Sequence, residues 1–156
     1  MATSANRNLN LLYPPFRERL EMGLRLCHYQ GLFVHVFEGW RSPERQSYLY
    51  AKGRSTEGKI VTHARPGFSY HGYGLAADLV FDSNPDTLTK DWTWEGDYQK
   101  VAAILETLGI ETLKFERAHF QMSFGLDIKA VKHYSDTKGN LALWNYLDEK
   151  TAQSNG

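Results

Sequence analysis

The sequence predicts an α+β fold, because helix-like and strand-like segments mix without the regular alternation of a doubly wound sheet. Two further observations support a single domain of that class. A chain of 156 residues lies within the ~100–200 residues common for one domain and can bury a core without disulfide staples. Hydrophobic residues at 42% and charged residues at 23% form an ordinary globular balance that no repeat, low-complexity tract or Pro/Ser-rich linker interrupts. The expectation is one domain over residues 1–156 with frayed ends and a core from about 12 to 150.

Each element follows from local pattern. Residues 15–30 carry Phe16, Leu20, Leu24 and Cys27 at helical spacing, with Pro15 suited to a first turn and Gly31 to a stop. LFVHVFE (32–38) is β-branched and aromatic, as a central strand is. A second helix follows, with Ser42 as N-cap, Pro43 in the first turn and Gly53 past its end. Residues 54–74 are too rich in glycine and proline for regular structure, and long loops in compact domains are usually functional. LAADLVF (75–81) reads as a strand and DSNPD (82–86) as a turn. A third helix over 96–108 stops at Gly109, AHFQMSF (118–124) is another strand, and a short amphipathic helix from about Leu141 to Leu147 docks on the core.

Bulk properties exclude several classes. Lys+Arg and Asp+Glu both number 18, so no net field draws the chain to nucleic acid or an anionic membrane. No segment approaches the ~18 apolar residues of a membrane span, and MATSANRNLN lacks the charged-then-apolar pattern of a signal peptide. The expected protein is a soluble monomer made in the cytoplasm. Cys27 is the single cysteine and sits in an apolar helical pattern, so it reads as a small buried hydrophobe without a disulfide. DSNPD is not an EF-hand start, because Thr87 and Thr93 stand where glycine and glutamate would be needed.

Three segments converge on metal chemistry. In SYHGYGLAAD (69–78), His71 leaves the loop and Asp78 sits in the following strand. Ala76, Asp78 and Val80 share one face of that strand, and a carboxylate on so apolar a strand is costly to bury unless paired or metal-bound. In ERAHFQ (116–121), alternation puts His119 and Gln121 on a polar face and Phe120 in the core. Glu116, three residues before His119, would face away on a straight strand, so a bend near Arg117–Ala118 is expected. Two histidines and one carboxylate leave a fourth zinc position open, as catalytic sites do, and Glu116 could move the proton of a zinc-activated water. In EGWRSPERQ (38–46), Arg41 lies between a strand end and a helix start, where it could grip a substrate carboxylate or steady an oxyanion. Tyr70, Tyr73, Trp92 and Trp94 are candidates to wall a substrate cleft, with core packing the alternative for the tryptophans. His28, His35, His63 and His133 are expected to be structural or solvated, His63 being the one beside the site.

The series G-W-R-S-x-x-x-Q, S-x-H-x-x-G-x-A-x-D and E-x-x-H-F-Q, spanning residues 37–124, resembles the D-alanyl-D-alanine and L-alanyl-D-glutamate zinc peptidase family. The resemblance implies a small antiparallel sheet flanked by helices, of the hedgehog/DD-peptidase type. It also implies one zinc ion on His71, Asp78 and His119, Glu116 as general base and Arg41 as the substrate-orienting group, with Gln46 and Ser69 shaping the site. Peptidoglycan stem peptides would be the partners. Leu49-Tyr50 through Gly53-Arg54, then Ile60-Val61-Thr62, is most similar to the phage endolysin branch, which points to the L-alanyl-D-glutamate bond and to holin- or lysis-dependent release. Glutamate at 116, where endolysins often carry aspartate, is more usual in the D-Ala-D-Ala carboxypeptidase branch, so that bond is the alternative. A non-catalytic zinc-containing cell-wall-binding module is the rival of another class.

Overall fold

The computed structural model describes residues 3–154. Among these, five α-helices surround one five-stranded sheet in which every pairing is antiparallel. The elements run α1 (Pro14–Tyr29), β1 (Val34–Glu38), α2 (Pro43–Ala51), β2 (Ala76–Asp82) and β3 (Trp92–Thr93). They continue with α3 (Tyr98–Glu106), β4 (Glu111–Leu113), β5 (Glu116–Gln121), α4 (Ile128–Lys138) and α5 (Asn140–Ser154). The sheet order is β1-β2-β5-β4, with β3 pairing the far end of β2. No helix among the described residues is long and apolar enough to cross a membrane.

Helix α1 forms where the apolar spacing requires it. Phe16, Leu20, Gly23 and Cys27 fall on one stripe and are all buried. Fully burying a side chain such as Phe16 or Leu20 contributes ~1.5–3 kcal/mol. The same burial pushes the Cys27 thiol up to about 11, which leaves it protonated and inert at neutral pH. Ser42 Oγ accepts a hydrogen bond from Arg45 N–H at 3.0 Å and so starts α2. The core lies on the face of the sheet bearing Ala77, Leu79, Phe81 and Phe120, and α1, α3, α4 and α5 close it with Leu20, Val101, Val131, Leu143 and Leu147.

Three boundaries and three further elements depart from the sequence pattern. Helix α3 begins at Tyr98 because Asp97 takes the cap, accepting from Lys100 N–H at 3.1 Å. Strand β5 runs from Glu116 to Gln121, earlier than 118–124, although Met122 and Phe124 beyond its end still pack on the core. Helix α5 runs from Asn140 to Ser154, longer than 141–147. Helix α4 and the short strands β3 and β4 stand where no element is expected from sequence.

Candidate metal centre and its cleft

Cross-strand register assembles the centre. Glu38 of β1 pairs with Asp78 of β2, and Asp78 pairs with His119 of β5, so three adjacent strands carry these side chains abreast. A bulge makes this possible. Val36 opposes Leu79 and Glu38 opposes Asp78, so Phe37 is the extra residue. Without it, alternation would send Glu38 to the opposite face. A second irregularity, between Thr112 and Leu113 of β4, leaves Arg117, Ala118 and His119 unpaired by β4. The expected departure from a straight strand is present there, and Glu116 Oε2 comes within 3.9 Å of His119 Nδ1.

His71 arrives from a 3₁₀ turn, Tyr70–Tyr73, that is held from several sides. Ser69 caps it, accepting from His71 N–H at 3.3 Å. The indole N–H groups of Trp40 and Trp144 donate to Gly72 O and Tyr73 O at 3.2 and 2.8 Å, and Arg41 N–H donates to His71 O at 3.1 Å. Gly74 ends the turn at φ 71°, where a Cβ would lie 2.8 Å from both Leu11 O and Trp144 Cζ2. Only glycine fits there without strain.

Both imidazoles are aimed by an outer partner. His71 Nδ1 lies 2.7 Å from Gly39 O and His119 Nε2 lies 2.7 Å from Gln121 Oε1. Each bond leaves the other ring nitrogen facing Asp78. His71 Nε2 and His119 Nδ1 are 3.3 and 3.4 Å from Asp78 Oδ1. The geometry of the first is too poor for a hydrogen bond, and His71 Nε2 is a buried nitrogen without a hydrogen-bond partner. A buried, oriented lone pair left unsatisfied costs free energy unless something else takes it. One donor atom from each of His71, Asp78 and His119 lies within 4.8 Å of the others. This donor set can hold a metal ion, and two imidazoles with one carboxylate fit zinc with an open position.

Electrostatics support the same reading. Burial works against ionising Asp78, but the imidazoles of His71 and His119 and the Arg41 guanidinium outweigh it and hold the carboxyl well below the usual carboxylate range. Burial likewise opposes charge on His119, yet Asp78, Gln121 and Glu116 outweigh it and raise its pKa above 6.5. Asp78 is thus ready as a ligand at neutral pH, while a proton competes for His119.

The other residues singled out from the sequence divide by location. Arg41 borders the cleft, but its guanidinium points inward: one terminal nitrogen is 2.9 Å from Asp78 Oδ2 and the other donates to Gln46 Oε1 at 3.3 Å. Its Nε is 3.0 Å from Glu38 Oε1, an ion-pair contact too misaligned for a hydrogen bond. Gln46 is buried behind the wall and donates to Ala64 O at 2.7 Å. Ser69 and Tyr70 line the cleft. Tyr73 lies apart from it: the ring is 5% exposed in the core and the hydroxyl donates to Gly67 O at 2.6 Å. Trp94, 45% exposed, and His63 line the cleft, whereas Trp92 does not.

Glu38 is the residue that sequence reasoning passed over. It is 1% exposed, accepts from Arg45 Nε at 2.8 Å and faces Arg41, which in turn holds Asp78. The available signal was a carboxylate ending an apolar strand with arginines three and seven residues later. The cleft over this network encloses about 1010 Å³, with Glu116 at its edge, 54% exposed on its side chain.

Comparison with known proteins agrees with this architecture. The chain is 35% identical over 106 residues to the peptidoglycan L-alanyl-D-glutamate endopeptidase CwlK of Bacillus subtilis (strain 168), a match covering 64% of each protein. The crystal structure of the L-Ala D-Glu endopeptidase ChiX of Serratia marcescens aligns with a TM-score of 0.54 at 22% identity, covering 80% of this chain and 90% of that one. The LD-carboxypeptidase LdcB aligns with a TM-score of 0.53 at 22% identity over 85% of this chain and 67% of its own. At that identity the two structures establish the fold alone, a mixed helix and antiparallel-sheet architecture. The family model described as VanY, D-alanyl-D-alanine carboxypeptidase, matches residues 12–138, and the chain therefore belongs to that family.

Proposed function

We propose that the protein is a zinc metallopeptidase, a monomer of one catalytic domain acting on the cell wall, that hydrolyses a peptidoglycan stem-peptide bond. The observation that carries this reading is the His71–Asp78–His119 cluster, with oriented ring nitrogens and a carboxylate beside it at the edge of a cleft. His71 Nε2, one oxygen of Asp78 and His119 Nδ1 would hold the ion. Zinc in such a set lowers the pKa of a bound water to ~7 and polarises the scissile carbonyl. Glu116 Oε2 accepts the proton of the attacking water and passes it to the leaving nitrogen. Its half-exposed position lets it meet both solvent and substrate. Arg41 acts as a positioning residue, fixing Asp78 Oδ2 while Gln46 fixes Arg41. A cation on one carboxylate oxygen leaves the other directed at the histidines.

The bond we favour is L-alanyl-D-glutamate, supported by the 35% identity to CwlK. The family model supports D-alanyl-D-alanine carboxypeptidase as the second reading. Mass spectrometry of purified muropeptides digested by the zinc-loaded protein separates the two. Release of the stem after L-alanine supports the first, and loss of one terminal D-alanine supports the second. Intact muropeptides after exhaustive digestion would refute both.

A further inference from the structure

The cleft is more positive than the chain. Lys+Arg and Asp+Glu balance at 18 each over the sequence, yet five Lys/Arg and three Asp/Glu line the cleft. Two of the five cations are committed: Arg41 and Arg45 share Glu38, and Arg41 also binds Asp78. A guanidinium held in this way has no free fork for a substrate carboxylate. Arg117 is engaged as well, donating to Trp94 O at 3.2 Å with Glu95 at 3.9 Å. Lys52 lies over the Tyr48 ring, 4.9 Å from its centroid.

Arg65 differs from all of these. It lines the cleft, is exposed, and its side chain has no hydrogen bond or ion pair among the described residues. Its side chain is free, but its backbone is fixed. Ala64 O accepts from Gln46 Nε2 at 2.7 Å, Ala64 N–H donates to Thr62 Oγ1 at 3.1 Å, and Arg65 O accepts from Phe68 N–H at 3.0 Å. Gln46 is also the residue that holds Arg41. One buried amide therefore links the residue before Arg65 to the arginine that contacts Asp78, on the wall of the same cleft.

We propose that Arg65 is a specificity-determining residue that binds the α-carboxylate on the leaving side of the scissile bond. The inference rests on the peptidase reading above. Both candidate bonds offer such a group: a D-glutamate linked onward through its γ-carboxyl keeps its α-carboxylate free, and a terminal D-alanine keeps its own. A planar guanidinium takes a carboxylate in bidentate fashion, and a substrate filling the cleft strips water from that pair and strengthens it.

Four synthetic peptides test this with the zinc-loaded full chain. One pair is L-alanyl-γ-D-glutamyl-L-lysine with its glutamate α-group as acid or as carboxamide. The other ends in D-alanyl-D-alanine with a free or amidated terminus. The wild type should prefer the acid of the bond it cuts by about tenfold or more in kcat/KM, the scale of a charge-assisted hydrogen bond. R65A should reduce that acid-to-amide ratio about tenfold, mainly through KM, R65K should retain part of it, and R65E should invert it. Unchanged melting temperatures would show that each variant folds. The pair that responds identifies the carboxylate bound, D-glutamate or terminal D-alanine. Equal acid-to-amide ratios in wild type and R65A, with hydrolysis intact, would overturn the assignment and leave the peptidase reading standing. No hydrolysis of any peptide by zinc-loaded wild type would overturn that reading and this inference with it.

Discussion

Replacing Glu38 with Gln removes one negative charge from a buried row of alternating charges: Arg45, Glu38, Arg41 and Asp78. The Glu38 side chain is 2% exposed and those of Arg45 and Arg41 are 10% and 11%, so little water screens the change. Glutamine keeps the shape and one acceptor, enough for Arg45 Nε. Its amide N–H₂ then meets a guanidinium N–H with nothing to accept it. Breaking a buried pair by removing one partner costs ~3–5 kcal/mol, and the retained acceptor places E38Q at the lower end, about 3 kcal/mol. For a chain of this length each kcal/mol shifts Tm by ~2–4 °C, so a fall of roughly 6–12 °C is expected in chelator. Zinc affinity should fall as well, by ~10-fold or more. Arg41, no longer shared with Glu38, would hold Asp78 more strongly and compete with the ion. Thermal melts with and without chelator, together with competition against a chromogenic zinc indicator, read both quantities. A Tm within about 2 °C of wild type and an unchanged zinc affinity would show that Glu38 does not hold this row together.

Three further expectations follow from other parts of the site. E116Q should bind one zinc as tightly as wild type and melt at the same temperature, yet lose ~10²–10⁴-fold in kcat; stoichiometric zinc analysis beside peptide turnover checks both halves. The raised pKa of His119 stabilises the metal-free fold fully below pH 6.5, and that contribution is lost as pH rises through the folded value. Zinc competes with this proton, so the rise in Tm on adding zinc should be greater at about pH 8 than at about pH 6; an equal or opposite trend by differential scanning fluorimetry would contradict it. Gly74→Ala adds a Cβ at φ 71° against Leu11 O and Trp144. Left-handed strain of ~1–2 kcal/mol plus overpacking of ~1–3 kcal/mol should lower Tm by about 4–20 °C and weaken zinc binding, because the turn carries His71.

Much of this centre is legible in sequence because its chemistry coincides with its periodicity. His119 and Gln121 alternate with core-facing Phe120, and Asp78 stands between Ala77 and Leu79, so the two-residue period alone puts the polar groups on one face. Ser42 and Asp97 mark helix starts by side-chain acceptance. The remainder was hidden for identifiable reasons. The bulge at Phe37 has no residue signature, yet it turns Glu38 toward Asp78. The inward set of Arg41 depends on that bulge and could not be read from the E-G-W-R pattern. Tyr73 looks like a cleft residue by proximity to His71, but a 3₁₀ turn directs it into the core. Helix α4 carries few apolar residues, Val131 being the fully buried one among its described side chains. Its clearest mark is Asp127, which accepts from Ala130 N–H at 2.8 Å. Strands β3 and β4 are two and three residues long, below the length at which alternation is visible.

On this reading, stem-peptide hydrolysis depends on one zinc ion held by His71, Asp78 and His119. The most direct test strips the protein with chelator and follows the hydrolysis rate as zinc is returned in sub-stoichiometric steps. A linear rise from near zero that levels off at one zinc per chain is expected. A rate that is already full in the stripped protein, or that does not respond to zinc, would contradict it.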